Sequence, residues 1–218
     1  MKLLQIAALA LSPFLFSCGT KTTAESEPKE LPAPAITISK SPTKLAPCPV
    51  TEWILDTTAS RVTFTIKNMG MTVDGSLGGM TGSLLFDPEH LDCSKFQTSV
   101  SVKSLHTGIG KRDRDLMAEN FFNEPLNKQM SFTSDSLRQI GGSYNAYGTL
   151  TIKGTSHHIV IPFSFEQKGA VAFFKGTFSL DRLDYGVGKD GPLMSQNVVV
   201  SIEVVGKKAL DVIAWNYQ

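Results

Sequence analysis

GTLTIKGTSHHIVIPFSF, residues 148–165, is the stretch whose reading decides the fold. Leu150 and Ile152 alternate with Thr149, Thr151 and Lys153, and then Ile159, Ile161, Phe163 and Phe165 recur at every second place. A period of two is that of a β-strand with one apolar face. The same period extends in both directions. Upstream, Val62, Phe64 and Ile66 alternate with Arg61, Thr63, Thr65 and Lys67, and Gly78, Gly79 and Gly82 lead into Leu84 and Phe86. Thr98, Val100 and Val102 alternate with Ser99, Ser101 and Lys103, and Met130 and Phe132 with Ser131 and Thr133. Downstream come Phe174, Phe178 and Leu180, then Val198, Val200, Ile202 and Val204. About eight strands at short spacing, with no long helix between them, predict an all-β, antiparallel fold rather than a parallel α/β sheet. One face of nearly every strand is aliphatic or aromatic and the other is Thr, Ser, Lys and Glu, which favours an eight-stranded barrel over a sandwich. Such a barrel is either filled by side chains or holds one small ligand, and periodicity leaves both open.

The rest of the 218-residue chain frames that domain. An apolar fraction of 41% supports a core, and a net charge of +1 without a basic stripe gives no footprint for nucleic acid. The run from Leu3 to Phe16 is shorter than the roughly 20 apolar residues of a spanning helix, so residues 1–17 read as a secretory signal peptide. Its end, Leu15-Phe16-Ser17-Cys18, resembles a bacterial lipobox, which predicts acylation of Cys18 and a membrane anchor. Residues 18–49 carry Pro28, Pro32, Pro34, Pro42, Pro47 and Pro49 among Lys, Glu, Thr and Ser, the composition of an extended tether. The barrel is assigned to 50–206 and a tail to 207–218. The location implied is the bacterial cell envelope, on the periplasmic face or the surface, with the outer membrane favoured because Gly19 gives no obvious retention signal. With Cys18 acylated, Cys48 and Cys93 remain; outside the cytoplasm they could form a disulfide or be two unrelated small residues.

SLHTGIGKRDRDLMAENFFN, residues 104–123, interrupts the strands. From Lys111 to Phe122 it is rich in helix formers, Asp113 suits a helix start, and Pro125 ends the element. This predicts a short amphipathic helix that covers the barrel or closes its mouth, its Arg and Asp residues serving solvation and pairing.

No chemical site stands out. GVGKDG, 186–191, matches a dinucleotide fingerprint but is followed by Pro and another strand, and SPTK, 41–44, lies in the tether. His157 and His158 are adjacent on a strand and so point to opposite faces, and His90 and His106 lack partners at metal-ligand spacing. No catalytic residue, cofactor or metal is assigned.

Five segments together carry a resemblance: VTFTIKNMG, SLHTGIGKRDRDLMAENFFN, SFTSDSL, GTLTIKGTSHHIVIPFSF and LDRLDYGVG, in order between about 53 and 206. They resemble the YceI-like family. One departure is Asp115, where the family often has His. The resemblance implies a lipocalin-like antiparallel barrel with a helix over it, secreted or periplasmic, holding a polyisoprenoid or similar long-chain lipid. The strand faces then nominate a lining: Phe64 and Ile66, Val100 and Val102, Phe132, Phe163 and Phe165, Phe174 and Phe178, Val200 and Ile202. The expected function is non-enzymatic binding, storage or transport of that lipid. The competing reading is a ligand-free structural or interaction module of the envelope; Gly148 and Gly176 on apolar faces leave room and favour a cavity. Self-association stays open.

Overall fold

The computed structural model describes residues 48–209. The signal peptide, the acylation site Cys18, the tether as far as residue 47 and the tail from residue 210 lie outside them. The strands are β1 (Glu52–Leu55), β2 (Arg61–Asn68), β3 (Met71–Leu77), β4 (Thr81–Leu85), β5 (Lys95–Ser101), β6 (Gln129–Ile140), β7 (Ser143–Ile152), β8 (Thr155–Lys168), β9 (Val171–Asp181) and β10 (Met194–Lys208), with one helix, α1 (Gly110–Met117), between β5 and β6.

The strands run antiparallel in the order β1-β4-β5-β6-β7-β8-β9-β10-β2-β3, and β1 also pairs with β10. That last pairing closes the sheet into a barrel. The ten segments fill eight ladder positions, because β1 and β2 lie end to end along β10, and β3 and β4 end to end beside them. The sequence thus predicts the barrel correctly, while β1 and β3 are additions to its series of alternations. In β3 the alternation Met71, Val73, Gly75, Leu77 loses a side chain at Gly75, since a Cβ there would lie 2.2 Å from Phe64 Cζ. The Phe64 ring occupies that space instead.

The break between β1 and β2 is a turn organised by Asp56, whose Oδ1 accepts from Thr58 N, Thr58 Oγ1 and Ala59 N. These hydrogen bonds, led by the Thr58 hydroxyl, hold its carboxyl well below the usual carboxylate range. While the chain loops out, Ser60 Oγ accepts from Val205 N at 3.0 Å, so β10 passes the break without an unpaired amide. The hairpin inside the opening stretch turns at Lys153-Gly154, both at positive φ (51° and 76°), the two-residue turn that matches the twist of the flanking strands.

Pro162 shapes the wall. β8 pairs with β7 over Thr155–Phe163 but with β9 only over Phe163–Lys168. Beyond Gly176, β9 pairs with β10 alone. Pro162 has no N–H to donate, and the ladder between β8 and β9 stops beside it. The two strands therefore splay toward one end of the barrel.

That end is the rim. It carries the β2–β3 and β7–β8 turns, the β9–β10 connection, and α1 with the segment that follows it. Met69 N donates to Leu193 O, Gly188 N to Asn120 O and Lys153 Nζ to Gly186 O, tying these pieces together. The opposite end is a floor of packed aromatics. Phe86 is wholly buried, with ring centroids 4.7 Å from Phe165, 5.3 Å from Tyr144 and 5.5 Å from Phe174. Trp53 closes the floor edge-on to Phe165, and its Nε1 donates to Phe86 O at 3.0 Å. Offset and edge-to-face pairs at these separations stabilise beyond their area alone. Cys48 and Cys93 are joined, with their Cα atoms 5.9 Å apart, and so staple the entry to β1 to the entry to β5.

Two boundaries differ from the sequence reading. The helix ends at Met117 rather than Phe122, because the chain then turns on itself: Phe122 N donates to Leu116 O and Glu124 N to Met117 O. The last strand runs through Lys208, past the assigned limit of 206, since Trp53 and Ile54 of β1 offer partners to Lys208 and Lys207.

Candidate functional site: an apolar cavity between rim and floor

Between rim and floor lies a cavity of about 430 Å³. Small-molecule sites span roughly 300–1,000 Å³. Every barrel position contributes. From the expected set, Phe64, Ile66, Val100, Phe132, Phe163, Phe174, Phe178, Val200 and Ile202 form its wall. Phe163 and Phe174 do double duty, belonging also to the floor.

Two expected residues lie elsewhere. Val102 sits one residue past the end of β5, in a tight turn over Val102–Ser104, where its N–H donates to Lys128 O and its side chain is 1% exposed within the core. The strand alternation ends at Ser101, so its phase no longer applies. Phe165 packs between Trp53, Phe86 and Phe174 under the floor. Of the two glycines read as leaving room, Gly176 is in the wall and Gly148 is not. A Cβ at Gly148 would lie 2.3 Å from Thr133 O, at the place where the β6–β7 register shifts between Ser134 and Ser136. Gly148 admits a bulge, not a ligand.

The wall also contains residues that strand periodicity does not flag. Val73, Leu77 and Met80 come from β3 and the break after it; Leu116, Phe121 and Phe122 from α1 and its exit; Tyr185 and Val187 from the β9–β10 connection. The first group is hidden by Gly75. The last carries no period at all, and its only signal is the LDRLDYGVG segment.

Polarity in the wall is gathered on one side. Asn68 at the end of β2, Thr107 before α1, Arg112 and Asp115 on α1, Ser131 at the start of β6, Thr98 and Ser99 on the rim half of β5, and Arg182 and Tyr185 after β9 all lie toward the rim. The floor half is hydrocarbon. A cavity of this kind matches an amphiphile, tail inward and head at the rim.

The rim groups are held by hydrogen bonds. Asp113, read as a cap, reaches back past the helix start: Oδ1 accepts from Thr107 N at 2.9 Å and from Thr107 Oγ1, and Oδ2 lies 3.0 Å from His106 Nδ1. The Thr107 hydroxyl, more than the His106 ring, holds its carboxyl below the usual range. Arg112 donates to both oxygens of Thr107. His106 pairs with Ser76 of β3 through two backbone hydrogen bonds, 2.8 and 2.9 Å, which link the base of α1 to the free edge of β3. Arg182, 4% exposed, donates to the carbonyls of Val187, Lys189, Met194 and Ser195 and so shapes the β9–β10 connection. His157 and His158 point apart, to Asp184 O and to Asp135.

A family model described as YceI-like domain matches residues 53–206. A UPF0312 protein of Pseudomonas aeruginosa is 26% identical over 152 residues, spanning 66% of this chain and 80% of its own. Among solved structures, BcnA of Burkholderia cenocepacia superposes with a TM-score of 0.66 at 24% identity, over 69% of this chain and 98% of that one. A YceI protein of Campylobacter jejuni gives 0.58 at 23% identity, over 63% and 86%. A polyisoprenoid binding domain from Saccharophagus degradans, implicated in plant cell wall breakdown, gives 0.58 at 14% identity, over 73% and 99%. At these identities the structural likeness establishes the fold.

Proposed function

From its membership of the YceI-like domain family, to which the chain belongs, we propose that this protein binds one long-chain, isoprenoid-like lipid inside its barrel and performs no catalysis on it. The observation that carries this is the cavity: about 430 Å³ of apolar space with its polar residues confined to the rim. The family resemblance and the polyisoprenoid binding domain among its structural neighbours support the ligand class.

The energetics fit a carrier. Each buried methylene is worth about 0.8 kcal/mol against water. A bilayer offers a lipid tail nearly the same gain, so the net preference for the barrel over a membrane is small, which suits loading and unloading. Acylation at Cys18 and the Pro-rich tether would keep the barrel at the bacterial envelope, on the outer membrane, within reach of the lipids it exchanges.

The test is to purify the protein in its native host without detergent, extract it with organic solvent and identify what comes off by mass spectrometry. A stoichiometric prenyl lipid is the expected result. A well-folded protein that repeatedly yields no lipid would instead favour a ligand-free module in the envelope.

A further inference from the structure

The four most exposed large apolar side chains among the described residues all stand at the rim: Leu126 (80%), Met71 (68%), Met69 (65%) and Leu193 (60%). Three of them form one group. Met69 and Met71 belong to the tip of the β2–β3 hairpin, and Met69 N donates to Leu193 O. The group continues the cavity wall outward. Met71 lies on the strand face of Val73, Asn68 precedes Met69, and Leu193 precedes Met194; Val73, Asn68 and Met194 all line the cavity. Met69 also breaks a local rule. It stands at φ 51° before Gly70 at 78°, in a two-residue turn whose first place favours Asn, Asp or Gly. Lys153 holds the same place in the β7–β8 turn, but its ammonium is bonded to Gly186 O. Met69 brings only a long thioether chain into solvent. Contiguous exposed apolar surface marks contact with another body.

We propose that this rim docks on a lipid bilayer, with Met69, Met71 and Leu193 inserted among the acyl chains and the cavity mouth facing the membrane. This rests on the lipid-binding reading above. The occupant follows from the continuity of the apolar surface. A guest leaving the cavity passes from Val73 and Met194 to Met71 and Leu193, and a bilayer both covers those side chains and receives the guest. A second copy seated there would close the mouth instead. The route of the chain allows the approach. It enters the domain at the floor, where Cys48 is joined to Cys93 and β1 pairs with the end of β10 remote from Met194. A chain of the length of residues 18–47 spans up to roughly 100 Å, and the 15 residues of β10 span about 50 Å. A barrel acylated at Cys18 therefore reaches its own membrane with its rim. The exposed charges on the rim segments are mixed, Lys67 and Lys189 with Asp74 and Asp190, so docking is driven by apolar insertion and not by attraction to anionic lipid.

The experiment puts a reporter at either end of the full chain: Leu193→Trp at the rim, and Ile140→Trp in the exposed β6–β7 turn at the floor end. Each variant is mixed with phosphatidylcholine vesicles, with and without brominated acyl chains, and its emission is compared with that of the parent. The expected result is a blue shift and quenching for the rim reporter and neither for the floor reporter. Adding Met69→Asn and Met71→Thr should move the ratio of docked to free rim about tenfold toward free, the worth of burying one such side chain. Met69→Asn alone should melt no lower than the parent, because Asn suits the positive φ. The proposal is overturned if neither reporter is quenched, if both are quenched alike, or if the added substitutions change nothing. It is also overturned if quenching needs anionic phosphatidylglycerol and is lost in high salt, or if Met69→Asn melts lower. A concentration-dependent dimer that the same substitutions disperse, with no quenching on vesicles, would give the patch to a second copy. A quenched rim in a protein whose solvent extract holds no prenyl lipid leaves the docking standing and overturns the lipid-binding reading. Prenyl lipid in the extract with an unquenched rim does the reverse.

Discussion

Breaking the Cys48–Cys93 bridge should lower the stability of the barrel by about 4 kcal/mol. The bridge closes a loop of 45 residues in sequence separation, containing β1 to β4. In the chain-entropy treatment, a loop of that size removes roughly 13 cal/mol/K from the unfolded ensemble, or about 4 kcal/mol at 25 °C. For a domain of this length each kcal/mol moves the midpoint by roughly 2–4 °C, so the shift is about 8–16 °C. The assay is thermal unfolding of the parent, Cys48→Ser, Cys93→Ser and the double variant, each with and without reductant. Both single variants and the double should fall by the same amount, and reductant should bring the parent to their level and leave them where they are. A shift below about 2 °C would show that the unfolded chain gains little freedom from release. Two singles that add in the double would show that the cysteines act separately, and the reasoning would fail.

Other perturbations test the rim and floor. Trp53→Phe leaves Phe86 O without its donor and a gap beside Phe165, and should lower stability by roughly 2–4 kcal/mol in denaturant unfolding; a change under about 0.5 kcal/mol would mean the floor repacks freely. Gly148→Ala drives a Cβ into backbone atoms of Thr133 and Ser134 and should cost about 3 kcal/mol, checked the same way, with a neutral result contradicting the packed bulge. Asp113→Asn loosens α1 at neutral pH, read as faster amide exchange over 106–117. Because Asp113 is depressed in the folded state, its contribution is full above the ordinary carboxylate value near 4 and fades as pH falls through the lower folded one. Parent and variant should therefore converge in acid; a gap that stays constant down to pH 2 would remove Asp113 from the account.

How much of this was legible from sequence depends on whether a residue sits inside a regular period. Phe64, Phe132, Phe178 and Val200 lie mid-strand, where alternation fixes the face, and they line the cavity. Val102 fails because its strand ends one residue earlier, and a turn resets the phase. Phe165 keeps the right phase but lies too far along β8, beneath the cavity rather than around it, and periodicity carries no information about height in a barrel. β3 escaped because Gly75 gives its space to a ring from β2. Tyr185 could not be found by strand period, since an irregular connection places it, and its only sequence signal is the LDRLDYGVG segment.

Pro162 has a further effect, on time rather than shape. Where the β8–β9 ladder stops, the wall is completed by the tip of the β9–β10 connection, not by a strand. That tip is held to the β7–β8 hairpin by His157 Nε2 with Asp184 O, Lys153 Nζ with Gly186 O and the Tyr185 ring against His157, and to the segment after α1 by Gly188 N with Asn120 O, while its base is pinned by Arg182. Swinging the tip aside breaks those contacts and uncovers the buried side chains of Tyr185 and Val187, but it breaks no strand pairing. Free surface loops move in nanoseconds to microseconds and local unfolding can take as long as seconds; a segment with two buried side chains and no strand pair falls between them. A proline in a strand thus leaves one part of the wall held by loop contacts rather than by strand pairs, so that displacing it and unfolding the barrel are separate events.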